Sequence, residues 1–307
     1  MEANQTIPAV HSESGAVSAS ESEFSVRDGT RLHSYRWTSR AAEARGSAVI
    51  LLLHGYGEYG RRYDHFARFL TSRGYIVHSY DQRGHGFSPG QRGHIQSYAQ
   101  YVDDCSDIAR QVMELHPQRE LVLIGHSNGG LQVLRTVQRG EVAVAGLVMV
   151  CPMLALQPAH RPMPRGVASV LSALMPRMPL PSGIDVRQLS HDSAINEAWK
   201  ADPMNHGRTS FRWYLSGLDA MAQAHAEADK VTLPVLTLAA EFDSIVDSRG
   251  VVQLAERLPS RDREIVMVEG AFHEVLNELD RAETYARIGG WLNARFALAS
   301  TAQFSVA

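Results

Sequence analysis

The sequence predicts an α/β fold: a mostly parallel central sheet flanked by helices, with a helical cap inserted after the sixth strand. Three observations carry that prediction. Short, unbroken apolar runs alternate with amphipathic stretches of helical length, the pattern of strands covered on both faces. The alternation breaks after Pro152 and resumes at Pro234. One strand-to-helix junction carries Gly125-His126-Ser127-Asn128-Gly129, where the flanking glycines keep Cβ atoms out of a crowded turn.

In chain order, residues 1–22 are small, polar and acidic, without the basic and apolar stretches of a signal peptide, and read as a disordered tail. Residues 23–26 and 32–37, parted by Arg27-Asp28-Gly29-Thr30, read as an opening hairpin. A strand over 47–53 leads through a glycine-rich loop to a helix over 63–73. Strand 75–80 and a helix over 98–115, stopped by Pro117, come next. Strand 121–124 runs into the serine turn, followed by helix 130–139 and strand 146–150. Beyond the break lie strand 234–240, helix 249–257, strand 264–268 and helix 281–296, with residues 299–307 as a tail. The predicted core is therefore 23–151 with 231–298, and the cap is 152–230, laid over the carboxyl edge of the sheet where ligands bind in such folds.

At 307 residues and 44% hydrophobic, the chain can bury a substantial core. A net charge of −3 and a pI near 6.5 argue against nucleic-acid binding by bulk charge. Cys105 and Cys151 are too few for a disulfide scaffold and read as small buried residues of a reduced, cytoplasmic protein. No apolar stretch has the length to span a bilayer. Neither H-E-x-x-H nor C-x-x-C occurs, so no metal or other cofactor is expected.

The serine turn implies chemistry. A hydroxyl is a poor nucleophile at neutral pH and needs a base, itself oriented by a carboxylate. On this architecture the acid and then the histidine follow the serine in the chain, each just past a strand. Asp243 follows strand 234–240 and His273 follows strand 264–268, so Ser127, Asp243 and His273 form the expected triad. Asp247 is expected to cap the next helix and Glu241 to point elsewhere, while Glu274 competes for the role of orienting the histidine ring. The oxyanion hole is expected from two amides, Asn128 after the nucleophile and Tyr56 in the loop after strand 47–53. His54 reads as a loop tie, and His65, His78, His85 and His126 as packing or turn residues.

The same loop, Gly55-Tyr56-Gly57-Glu58-Tyr59-Gly60, also spells the G-x-G-x-x-G of a dinucleotide site, with Asp81 where a ribose acid would stand. Three features oppose that reading. A hairpin precedes the strand, Glu58 puts an anion where pyrophosphate would lie, and Asp81 opens its own glycine-rich turn.

From about residue 24 to residue 296 the chain resembles the monoacylglycerol lipase and lysophospholipase branch of the α/β-hydrolases. The likeness rests on His54-Gly55-Tyr56-Gly57-Glu58 with Arg62-Tyr63, Asp81-Gln82-Arg83-Gly84-His85-Gly86, Gly125-His126-Ser127-Asn128-Gly129-Gly130, Asp243-Ser244-Ile245-Val246-Asp247 and Gly270-Ala271-Phe272-His273. The resemblance implies the same triad and the same oxyanion amides. It also marks two departures. Asn128 stands where the family usually has methionine, which is expected to alter the pocket wall. Tyr56 stands where a small residue is common, which is expected to narrow the acyl site.

In the cap, Val167, Val170, Leu171, Leu174 and Met175 recur at helical spacing. Either the stripe packs on the core, or Val170, Leu171, Leu174 and Met175 line an acyl channel or touch a lipid surface. Arg161, Arg165, Arg177 and Arg187 against Asp185 give the cap a cationic surplus suited to anionic headgroups. The expected substrate is a single-chain lipid ester, a monoacylglycerol or lysophospholipid. Contact with a membrane surface through the cap would make the protein peripheral. The alternatives are a small-molecule carboxylesterase or thioesterase and, from another class, a hydrolase fold used only for binding.

Overall fold

A strand covered on both faces must be apolar at successive positions, and Ala48–Leu53 is buried at all six of them. Val49, Leu51 and Leu53 enter one core; Ile50 and Leu52, pointing the other way, enter a second. The computed structural model describes residues 16–45, 47–160 and 163–296. The expected tail at 299–307, residues 1–15 and Arg161 lie outside them.

The described residues begin with the hairpin of β1 (Ser18–Ser25) and β2 (Arg31–Thr38), then α1 (Arg40–Arg45), β3 (Ala48–Leu53), α2 (Asp64–Ser72) and β4 (Ile76–Tyr80). α3 (Ala99–Leu115), β5 (Glu120–His126), α4 (Asn128–Arg139) and β6 (Gly146–Val150) follow. The insertion holds α5 (Arg165–Leu174), β7 (Pro179–Pro181), α6 (Ser193–Ala201), β8 (Arg208–Ser210) and α7 (Phe211–Ala226). β9 (Val235–Ala240), α8 (Ser248–Arg257), β10 (Arg263–Val268) and α9 (Arg281–Phe296) complete the fold.

The main sheet has the order β1-β2-β4-β3-β5-β6-β9-β10. Only the β1–β2 and β2–β4 pairs are antiparallel, so the mostly parallel sheet expected from the sequence is present. α3, α4 and α8 cover one face through residues such as Ile108, Leu134 and Leu254. α2 and α9 cover the other through Phe66, Leu70, Ile288 and Trp291.

Two expectations change. β1 takes in residues 18–22, which had read as tail. Its side chains are exposed nearly throughout, and eight backbone pairs with β2 hold it, so an edge strand of this kind shows no apolar alternation. The insertion holds not only helices but also a small antiparallel ribbon of β7 and β8, too short for periodicity to reveal.

Candidate active site

β5 ends at His126 and α4 begins at Asn128, so a single residue must reverse the chain. Ser127 does this with φ 51° and ψ −115°, a backbone state that costs a non-glycine residue about 1–3 kcal/mol. Its amide donates to Val150 O at 2.9 Å, and its carbonyl accepts from Leu131 N and Met153 N at 3.2 and 2.9 Å. The flanking glycines are required by packing. A Cβ on Gly125 would lie 2.3 Å from Gly129 O, and one on Gly129 would lie 2.5 Å from Leu53 O. The strained turn is thus held by neighbouring strands on both sides.

β9 and β10 lie side by side, which brings the loops after them together. Asp243 Oδ2 meets His273 Nδ1 at 2.6 Å, with both side chains buried. Asp243 Oδ1 accepts from the amides of Ile245 and Val246 at 2.9 and 2.8 Å. Burial opposes ionisation of Asp243, but His273 and those two amides prevail and keep its pKa below the ordinary value. Burial likewise pulls His273 down, and Asp243 more than offsets it, so the imidazole pKa is raised. With the Nδ1 proton given to Asp243, Nε2 is the ring's free acceptor. Ser127 and His273 border one cavity.

Tyr56 borders that cavity too. Among the described residues, neither the Tyr56 amide nor the Asn128 amide donates to a protein acceptor. For Asn128 the reason is its place in the first turn of α4, whose amides have no intrahelical partner and favour negative charge.

The Asn128 side chain does not form pocket wall, contrary to expectation. It is fully buried on the far side of the turn, where Nδ2 donates to Gln82 Oε1 at 2.9 Å and Oδ1 accepts from Tyr98 OH at 2.8 Å. Tyr56 borders the cavity with its ring against Trp213 of α7, the centroids 3.9 Å apart and the planes tilted by 40°.

Val170, Leu171, Leu174 and Met175 are not brought to the cavity. Val170 is 58% exposed and Leu174 73%. α5 packs beside α7 with its small residues Ala168 and Ser172 buried, while Val167, Val170, Leu174 and Met175 are exposed and Leu171 is half-buried. The apolar lining comes instead from Met153, Leu156, Ile184, Leu189, Trp199 and Trp213. These are scattered over loops and the two helices α6 and α7, so no periodic signal marked them.

The remaining expectations sort cleanly. Asp247 caps α8 by accepting from Arg249 N. Glu241 accepts from Gly270 N at 2.8 Å and steadies the histidine loop. Glu274 does not orient the ring; it pairs with Arg62, which also grips Glu58. Glu58 in turn accepts from Gly55 N and Tyr63 OH, both at 2.6 Å. Burial opposes its charge, yet Arg62 holds the carboxyl well below the usual range. His54 ties its loop through Gly55 O at 2.7 Å and Gln82 N at 2.9 Å. Asp81 is taken up by Gly60 N, Phe87 N and Tyr35 OH, which removes it as a ribose acid.

A serine forced above a parallel sheet, sharing a cavity with a carboxylate-bound imidazole, defines a class: the protein is a serine hydrolase of the α/β-hydrolase fold. Residues 44–280 match the family described as serine aminopeptidase, S33, and the chain belongs to that family. It is similar to the monoacylglycerol lipase of Mycolicibacterium smegmatis, at 30% identity over 276 residues, 89% of this chain and 96% of that one. It is also similar to the phospholipase YtpA of Bacillus subtilis, at 28% identity over 81% of this chain and 95% of that one. The crystal structure of Paleococcus ferrophilus monoacylglycerol lipase superposes with a TM-score of 0.75 at 30% identity, covering 86% of this chain and 99% of that chain.

Proposed function

We propose that the protein hydrolyses single-chain lipid esters, monoacylglycerols or lysophospholipids, through an acyl-enzyme on Ser127. The observation that carries this reading is the 2.6 Å Asp243–His273 hydrogen bond in a cavity shared with the strained serine. The predominantly apolar lining and the lipase and phospholipase relatives favour a lipid acyl group. His273 Nε2 takes the Ser127 proton as Oγ attacks the ester carbonyl, and Asp243 stabilises the resulting imidazolium. The amides of Tyr56 and Asn128 receive the oxyanion. His273 then protonates the departing alcohol, and water repeats the sequence on the acyl-enzyme. The scheme needs no cofactor.

In this reading residues 152–230 act as a cap over a core of 23–151 and 231–298, and α5 offers its outward stripe to a membrane surface. The cationic surplus is smaller than the sequence suggests, since Arg165 pairs with Asp219 and Arg187 with Asp185. Among the described residues no helix is long and apolar enough to cross a membrane. An aminopeptidase would need an unpaired carboxylate for the substrate amine. Glu58 and Glu274, which border the cavity, are both held by Arg62.

A short-acyl carboxylesterase is favoured by one observation. The cavity encloses about 90 Å³, less than the roughly 150 Å³ that holds one benzene in an engineered core. A p-nitrophenyl ester series decides between the two. Rates that climb with acyl length favour the lipid reading, and a peak at acetate or butyrate overturns it. Ser127→Ala is expected to abolish both turnover and fluorophosphonate labelling; retained labelling would refute the nucleophile.

A further inference from the structure

The loop that carries Tyr56 is held from above as well as from below. On the core side, His54 and Glu58 tie the chain to Gln82 and Gly55. On the insertion side, His206 N donates to Gly57 O at 2.8 Å, Tyr56 OH donates to Arg208 O at 2.6 Å, and Tyr59 OH donates to Asp202 Oδ2 at 2.7 Å. The approach is close: Gly57 has φ +78°, and a Cβ there would lie 2.4 Å from His206 O. The backbone on both sides of Tyr56 is therefore set partly by a segment some 150 residues away in sequence.

That segment is itself anchored. A Cβ on Gly93 would lie 2.3 Å from Arg208 O, and His94 Nδ1 meets Ser210 Oγ at 3.0 Å. Residues 202–210 thus form a strut between the core loop at 93–94 and the Tyr56 loop. An amide aimed at a developing oxyanion loses much of its effect if it moves by a fraction of a bond length. We propose that the insertion segment Asp202–Ser210 is a positioning device for the oxyanion amide of Tyr56, with Tyr59, Asp202 and the Tyr56 hydroxyl as the positioning groups. This rests on the assignment of Tyr56 N–H to the oxyanion. It makes the insertion part of the catalytic geometry as well as a cover for substrate.

The test uses Tyr56→Phe, Tyr59→Phe and Asp202→Ala in the full chain; the first two each remove one hydroxyl with little change of shape, and the third removes the acceptor of Tyr59. Kinetics on a soluble p-nitrophenyl ester are read beside inhibition by a trifluoromethyl ketone, whose tetrahedral adduct places an oxyanion on the same amides. The Tyr56→Phe/Tyr59→Phe double variant is expected to lose about tenfold to a hundredfold in kcat, with KM within about twofold. Ketone affinity should fall in step with kcat/KM. Tyr59→Phe and Asp202→Ala should be non-additive, since they remove the same bond. Unchanged kcat and ketone affinity in all folded variants overturn the proposal, as does a rise in KM alone, which marks a simple wall. Thermal unfolding identifies any variant that fails to fold, and the remaining pair then carries the comparison. Ser127→Ala, run alongside, separates the two claims: activity retained there defeats the nucleophile assignment itself.

Discussion

At the scale of single residues, Ser127 and its two glycines were legible because their demands are local: the turn excludes Cβ atoms whatever surrounds it. Asp243 and His273 were legible because each closes a strand and the strands are neighbours. The destination of the Asn128 side chain was not, because Gln82 and Tyr98 lie far from it in sequence and only the folded turn brings them together. The pKa directions give a pH dependence. On the proposed mechanism His273 works as a base only when neutral, and Asp243 raises its pKa above its ordinary 6.5. Thus kcat/KM is expected to climb with pH through a midpoint above that value. Asp243→Asn should lower the midpoint and cut kcat by as much as about 10⁴-fold. A pH–rate profile that is flat through neutrality, or whose midpoint lies below 6.5, contradicts the assignment.

At the scale of elements, α5 shows what periodicity can and cannot tell. Spacing of i, i+3 and i+4 says that one face of a helix is apolar, not what that face meets. Here the smaller residues Ala168 and Ser172 on the adjoining face are the ones buried. The exposed Val170 and Leu174 now have a testable role. Replacing both with serine is expected to leave hydrolysis of a soluble short ester within about twofold while weakening binding to phospholipid vesicles about tenfold or more, given ~1.5–3 kcal/mol for each side chain buried. Cosedimentation with vesicles reads this directly; unaltered binding would remove α5 from the membrane contact. β1 makes the converse point. Its backbone ladder with β2 sustains a strand that composition alone presents as a polar tail.

At the scale of the whole molecule, the parallel sheet was readable because its central strands are buried on both faces and, apart from His78 and Ser79 in β4 and Thr237 in β9, largely apolar. The place of the insertion was readable from the break in alternation, but its internal structure was not, because its contacts are long-range and shared among short pieces. Burial has a further global effect: it lowers the pKa of several histidines, His78 to about 3 and His206 to about 4. His54 and His85 shift the same way for the same cause. These groups are neutral in the folded state and charge on unfolding, so their contribution is intact above the ordinary 6.5 and is lost as pH falls through the folded values. Each adds a slope of at most about 1.4 kcal/mol per pH unit. The thermal unfolding midpoint is therefore expected to drop between pH 6.5 and the carboxylate range, and a midpoint constant over that window would contradict it. The raised pKa of His273 opposes the trend as a single group.

Strand β9 pairs with β6, yet the whole insertion separates them in the chain. As the polypeptide leaves the ribosome at roughly 5–20 residues per second, β6 presents an unpaired apolar margin for several seconds before its partner emerges. Ser127 is in place throughout that interval while Asp243 and His273, its proposed partners, are still unsynthesised. On the proposed mechanism reactivity therefore waits for the residues beyond the insertion, and the same delay leaves a sheet margin open until β9 pairs with it.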